Sequence, residues 1–154
     1  MKNINIYVCE NYISVIKAIS ENFPEYSFAV NEFPASCGGL DYDAIDKNSS
    51  SNSTIIIGCS CIGNDEKLPE NFTQIKHDKC ADFVAPPSLT DSYIKQGYFI
   101  LTSAWMNNWM KKLDEWGIKE NMAAEFFNDF SSEILLLDTG EIEDLDIKMK
   151  EFED

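Results

Sequence analysis

Residues 54–61 read Thr-Ile-Ile-Ile-Gly-Cys-Ser-Cys. An unbroken β-branched run of this kind, with no polar residue alternating through it, is what a strand covered on both faces needs, and such strands belong to parallel sheets in α/β proteins. Gly58 ends the run, and two thiols follow it one residue apart. Upstream, residues 3–8 read as a first strand closed by Cys9, and Tyr12, Ile16, Ile19 and Phe23 recur at helical spacing until Pro24 stops the helix. Residues 26–33 suit a second strand. Pro34 and Cys37-Gly38-Gly39 then open a loop, leading to a short helix around 41–47 and a polar linker, 48–53.

Downstream, residues 73–77 make a weaker strand, Pro86-Pro87 precede a helix over 88–96 that Gly97 closes, and residues 98–102 form a strand. Trp105, Met106, Trp109, Met110, Leu113 and Trp116 form one helical stripe, and Met122, Ala123, Phe126, Phe127 and Phe130 form the next. Residues 133–138 give the last strand, and Ile142, Leu145, Met149 and Phe152 mark a terminal amphipathic helix. The alternation predicts an α/β fold: a mainly parallel, Rossmann-like sheet with helices on both faces, in a single domain over residues 1–154.

Composition narrows the function. The chain has 154 residues and a formal charge of −15, from 27 acids against 12 bases. Phosphate recognition depends on clustered bases, so this charge argues against nucleic acid and anionic membrane surfaces as partners. Every base is a lysine, which removes the planar fork that usually clamps paired phosphate or carboxylate oxygens. The opening residues lack the basic, apolar and small-residue series of a signal peptide, and no apolar run reaches the length of a membrane span. A cytoplasmic location follows as the expectation, where five cysteines stay reduced or bind metal rather than pair as structural disulfides.

Each cysteine falls just past a strand-like stretch: Cys9, Cys37, Cys59, Cys61 and Cys80. In an open parallel sheet the carboxyl ends of the strands line one edge, where ligand sites assemble. The five thiols are therefore candidate ligands of a shared metal. A sulfur-only set selects zinc, copper(I) or an iron–sulfur cluster over hard cations. No C-x-x-C knuckle occurs, so a cluster gathered from separate loops favours iron–sulfur, with zinc the alternative. Three other readings stand beside this one. The thiols serve as small buried hydrophobes, one of them is a nucleophile activated by His77, the only histidine, or the chain is a metal-free module whose acidic surface docks a protein. Thr102 and Ser103 suit helix caps, and Asp138 suits a turn. Trp105 directly follows a strand and is the candidate wall of a cofactor pocket.

Several segments together resemble a known family. They are Cys9-Glu10 at the end of the opening strand, Pro34-x-x-Cys37-Gly38, the Gly58 and Cys59 loop, Cys80 followed by Ala85-Pro86-Pro87, the stretch 97–109 (GYFILTSAWMNNW), Trp116-Gly117 and the stretch 135–140. The resemblance is to a domain of unknown function found in methanogenic archaea and anaerobic bacteria, alone, near methyl-transfer genes, or attached to sensor histidine kinases. It implies a shared thiol site matching Cys9, Cys37, Cys59 or Cys61, and Cys80, and a signalling or methyl-transfer protein as partner. It implies no catalytic activity, and enzyme function is the less favoured reading. The chain departs from the family in reading Thr102-Ser103-Ala104-Trp105 where Thr-Pro-Gly-Trp is expected, and in the wider spacing of His77 from Cys80.

Overall fold

A computed structural model describes residues 2–36, 39–45, 53–63, 68–130 and 133–153. Cys37 and the linker at 48–52 lie outside the described residues, as does part of the helix expected at 41–47, whose described portion forms turns and bends. The fold is α/β, and every strand pairing in it is parallel. The alternation that reads as one continuous sheet is realised as two sheets, one in each of two compact units, residues 1–80 and 81–154.

The first unit carries β1 (Lys2–Cys9), α1 (Ile13–Ser20), β2 (Tyr26–Phe33), β3 (Ser53–Gly58) and β4 (Phe72–Lys76). The sheet order is β2-β1-β3-β4. Burial follows the sequence pattern. In β3, Thr54, Ile56 and Ile57 are buried, as the β-branched run requires, while in β2 half-buried and exposed positions alternate as on an outer strand and only Phe33 is buried. On β1 the burial concentrates at the carboxyl end, in Ile6, Val8 and Cys9. Because β1 lies between β2 and β3, the direction of winding reverses there, and the crevice outside the carboxyl ends of β1 and β3 is the topological switch point of the sheet.

The second unit holds α2 (Pro87–Lys95), β5 (Tyr98–Thr102), α3 (Ser103–Asn107), α4 (Trp109–Glu115), α5 (Glu120–Phe130), β6 (Glu133–Leu137) and α6 (Leu145–Glu153). Pro87 starts α2 with its φ already helical, and Gly97, at φ 92°, supplies the left-handed residue past its end. The single helix expected over 105–116 is broken at Asn108 (φ −123°, ψ 25°). Asparagine side chains compete with the helical backbone for hydrogen bonds, and two of them stand at this point, Asn107 and Asn108. The aromatic stripes nevertheless form a core: Trp105, Met106, Trp109, Leu113 and Phe127 are buried, and Phe152 packs edge-on against Phe127 and Trp109 at ring separations of 5.2 and 5.3 Å. Such pairs add about 0.5–1.5 kcal/mol each beyond the area they bury. Among the described residues no helix is long and apolar enough to cross a membrane.

Candidate thiol site

The parallel order of the first unit brings Cys9, Cys59, Cys61 and Cys80 to one edge. Cys9 is the last residue of β1, Cys59 follows β3, Cys61 sits in a 3-10 turn (Ser60–Ile62), and Cys80 opens another (Cys80–Phe83) shortly after β4. All four are thiols, with Cys9, Cys59 and Cys61 buried and Cys80 exposed. They associate in two hydrogen-bonded pairs, Cys9 with Cys61 and Cys59 with Cys80, and Cys9 and Cys59 each also feel the charge of the other pair.

The two members of the inner pair are not equivalent. The Cys61 sulfur accepts the Cys9 S–H and backbone N–H groups of Cys59, Cys61 and Ile62, with the Cys59 nitrogen at 3.3 Å. These donors outweigh desolvation and bring the Cys61 thiol down to about 6. The Cys9 thiol moves the other way, because its proton is held by Cys61 and its burial disfavours charge. Cys59 is raised likewise, by its hydrogen bond to Cys80 and then by burial. Cys61 is thereby the acidic thiol of the inner pair, while Cys9 and Cys59 hold their protons more tightly.

The turn that carries this thiol is tied by groups from several elements. The carbonyl of Gly58 accepts the His77 N–H at 3.0 Å, that of Cys61 the Leu40 N–H at 3.0 Å, that of Ile62 the Tyr42 hydroxyl at 2.8 Å, and that of Gly63 the Lys76 ammonium at 2.7 Å. Gly58 itself is needed for close approach. A Cβ there would contact the Ile62 Cγ2 and stand 3.0 Å from the Cys61 sulfur and 3.3 Å from the Phe33 ring. Gly58→Ala is therefore expected to displace Cys61 from its N–H donors and to cost about 1–3 kcal/mol through overpacking, read as a lower urea midpoint of the reduced, metal-free chain. An unchanged midpoint would show that the turn yields freely.

Three further residues join this edge, a role the sequence did not assign to them although they directly follow the Cys9 strand end. Tyr12, 2% exposed, donates its hydroxyl to the Cys80 carbonyl at 2.5 Å. Burial, then the charges of Cys80, Cys59 and Cys9, push its phenol upward and keep it a donor. The Glu10 carboxylate accepts the Ala35 N–H at 3.1 Å, which ties the loop leading towards Cys37 to the end of β1. Asn11 donates its N–H to the Cys9 sulfur, and its buried Oδ1 has no hydrogen-bond partner.

The remaining candidates fall elsewhere. Thr102 caps α3, accepting the Trp105 N–H at 3.3 Å, Ser103 shares a 2.9 Å hydrogen bond with Thr139, and Asp138 accepts the Gly140 N–H at 2.8 Å in a turn. Trp105 is buried in the aromatic core of the second unit, against Trp116, Phe127 and Phe152. That unit also contains a cavity of about 230 Å³ walled by Met106, Phe127, Leu136, Met149 and Phe152, which offers shape but little chemistry.

As a donor set the four thiols suit a soft or borderline metal, being sulfur-only and partly supplied with N–H···S bonds. As thiols they satisfy one another in pairs, and among the described residues no group of three or more His, Cys, Asp or Glu is disposed to hold an ion as it stands. Comparison with protein-family models, curated proteins and solved structures finds no match for this chain.

Proposed function

We propose that Cys9, Cys59, Cys61 and Cys80 bind a soft metal centre, an iron–sulfur cluster in preference to zinc, at the switch point of the first unit. The observation that carries this reading is the convergence of four thiols from three strand ends into one hydrogen-bonded cluster. Close thiols repel one another once ionised, so protein alone leaves most of them protonated. A soft cation reverses this, because it binds thiolates and displaces their protons. The N–H···S bonds on Cys61 are of the kind that tunes cluster potentials. Cys37, two residues beyond the Ala35 held by Glu10, is a further candidate ligand.

In the setting implied by the family resemblance, such a centre serves redox or metal sensing, or an accessory role in anaerobic one-carbon (corrinoid) metabolism, in the cytoplasm and beside a signalling or methyl-transfer partner. The test is anaerobic purification of the full chain, reconstitution with iron and sulfide or with zinc, and measurement of metal stoichiometry and the absorption spectrum. Visible thiolate-to-iron absorption, or stoichiometric zinc, is the expected result. A chain that retains neither after reconstitution would end the proposal.

A second reading rests on Cys61, whose thiol is lowered to about 6 and so is ionised at neutral pH. A thiolate of this kind is a nucleophile, and its activator here is Cys9 rather than His77. Cys61 is also 6% exposed, which favours a bound centre over attack on a substrate.

A further inference from the structure

We infer that Cys80 and Cys59 form a two-electron oxidation site that takes a hydroperoxide and closes to an intramolecular disulfide. The site stands on the thiols themselves and does not require that they hold a metal. Three observations carry it. Cys80 is the exposed member of the four, whereas Cys9, Cys59 and Cys61 are 1%, 4% and 6% exposed. The hydrogen-bond partner of Cys59 is Cys80, not its sequence neighbour Cys61, which is held by Cys9.

The backbone on either side of the outer pair is also fixed. Strands β3 and β4 are in register as far as Gly58 and Lys76, the His77 N–H bonds the Gly58 carbonyl at 3.0 Å, and Tyr12 holds the Cys80 carbonyl at 2.5 Å. Both residues thus follow backbone that is held in place, and closing a disulfide between them requires their Cα atoms within about 7 Å.

The chemistry balances in two steps. The Cys80 sulfur attacks the distal oxygen of the hydroperoxide, forming S–O and breaking O–O, which gives a sulfenic acid and releases the alcohol, or water from hydrogen peroxide. The Cys59 sulfur then attacks the Cys80 sulfur, forming S–S and breaking S–O, and water leaves with the Cys59 proton. Two thiols lose two electrons and the peroxide bond gains them. The exposed sulfur meets the oxidant, and its buried neighbour protects it from further oxidation.

The experiment treats the reduced, chelator-washed full chain with stoichiometric hydrogen peroxide, blocks the remaining thiols, and maps cross-links by mass spectrometry without reduction. The expected first product is a Cys59–Cys80 cross-link with loss of two thiols per chain. Cys59→Ser is expected to stop at a Cys80 sulfenic acid that dimedone traps, and Cys9→Ser to leave the Cys59–Cys80 cross-link intact. Should Cys59→Ser fail to fold, Cys80→Ser, a change at an exposed position, must likewise abolish the first-formed cross-link. A first product joining Cys59 to Cys61, any first link to Cys9 or Cys37, or a cross-link between chains would overturn the inference. Since no metal enters the assay, its failure leaves metal binding untouched, and failure of metal binding leaves the oxidation site standing.

Discussion

The chain carrying Cys59→Ser and Cys61→Ser is expected to emerge from reconstitution with neither cluster nor zinc, while keeping its helical content. A serine hydroxyl is a hard, weakly acidic donor in a site proposed to be selected for sulfur. Structural zinc in all-protein sites is worth about 10–16 kcal/mol near neutral pH. Removing two of four thiolates should therefore lower affinity by many orders of magnitude. The fold is expected to survive for separate reasons. The buried residues Val8, Ile6 and Ile56 need no metal, and the second unit has its own aromatic core. The 58–63 turn keeps its ties to His77, Leu40, Tyr42 and Lys76, since these use backbone carbonyls and no sulfur. A serine at 61 is still reached by the N–H groups that served the sulfur, so the cost is expected near 1–3 kcal/mol for buried hydroxyls with imperfect partners. Far-ultraviolet circular dichroism and a thermal melt measure this arm, and metal analysis measures the other. Unchanged stoichiometry in the double variant would remove the Cys-x-Cys turn from the site.

How far the site was readable follows from what each signal depends on. The run Thr54–Ile57 and the cysteine after each strand are local features, and parallel pairing alone converts them into a shared edge, so convergence of Cys9, Cys59, Cys61 and Cys80 could be argued from sequence. Which thiol pairs with which could not. That depends on register, with Val8 opposite Ile57 and Gly58 opposite Lys76, and no spacing in the chain encodes it. The same holds for Asn11, whose burial no apolar pattern announces, and for the hydroxyl of Tyr12, which heads its helical stripe but bonds the Cys80 carbonyl. Trp105 shows the converse. Its helical stripe announced core packing, its place after β5 suggested a pocket wall, and its ring packs against three aromatic neighbours. The break at Asn108 was also open to reading, since two adjacent asparagines interrupt an otherwise regular apolar period. The two-sheet arrangement was not, because alternation of strands and helices is identical for one sheet and for two.

Cys9→Ala should return the Cys61 thiol a unit or more towards its usual value, taking the thiolate at pH 7 from about nine-tenths of the chains to about half or fewer. The Cys9 S–H is the largest single influence holding Cys61 near 6, and alanine removes that donor while the N–H groups of Cys59, Cys61 and Ile62 remain. The sign of the stability effect is fixed by the same shifts. Cys61 is depressed relative to an unfolded thiol at about 8.5, so its contribution is complete above that value and is lost as pH falls through about 6. Cys9 and Cys59 are raised, so their contribution is complete below about 8.5 and is lost as pH rises beyond it. The reduced, metal-free chain should thus gain stability from its thiols up to a maximum near the unfolded thiol value, with a rising acid limb that Cys9→Ala flattens. Ultraviolet thiolate absorbance against pH, with urea midpoints at the same pH values, measures both. His77→Ala is expected to leave the thiolate midpoint where it is, because the His77 N–H that ties Gly58 is main-chain and survives the substitution. A midpoint that moves with His77 and not with Cys9 would transfer the activation of Cys61 from its neighbouring thiol to the imidazole, and would make the nucleophile reading the stronger one.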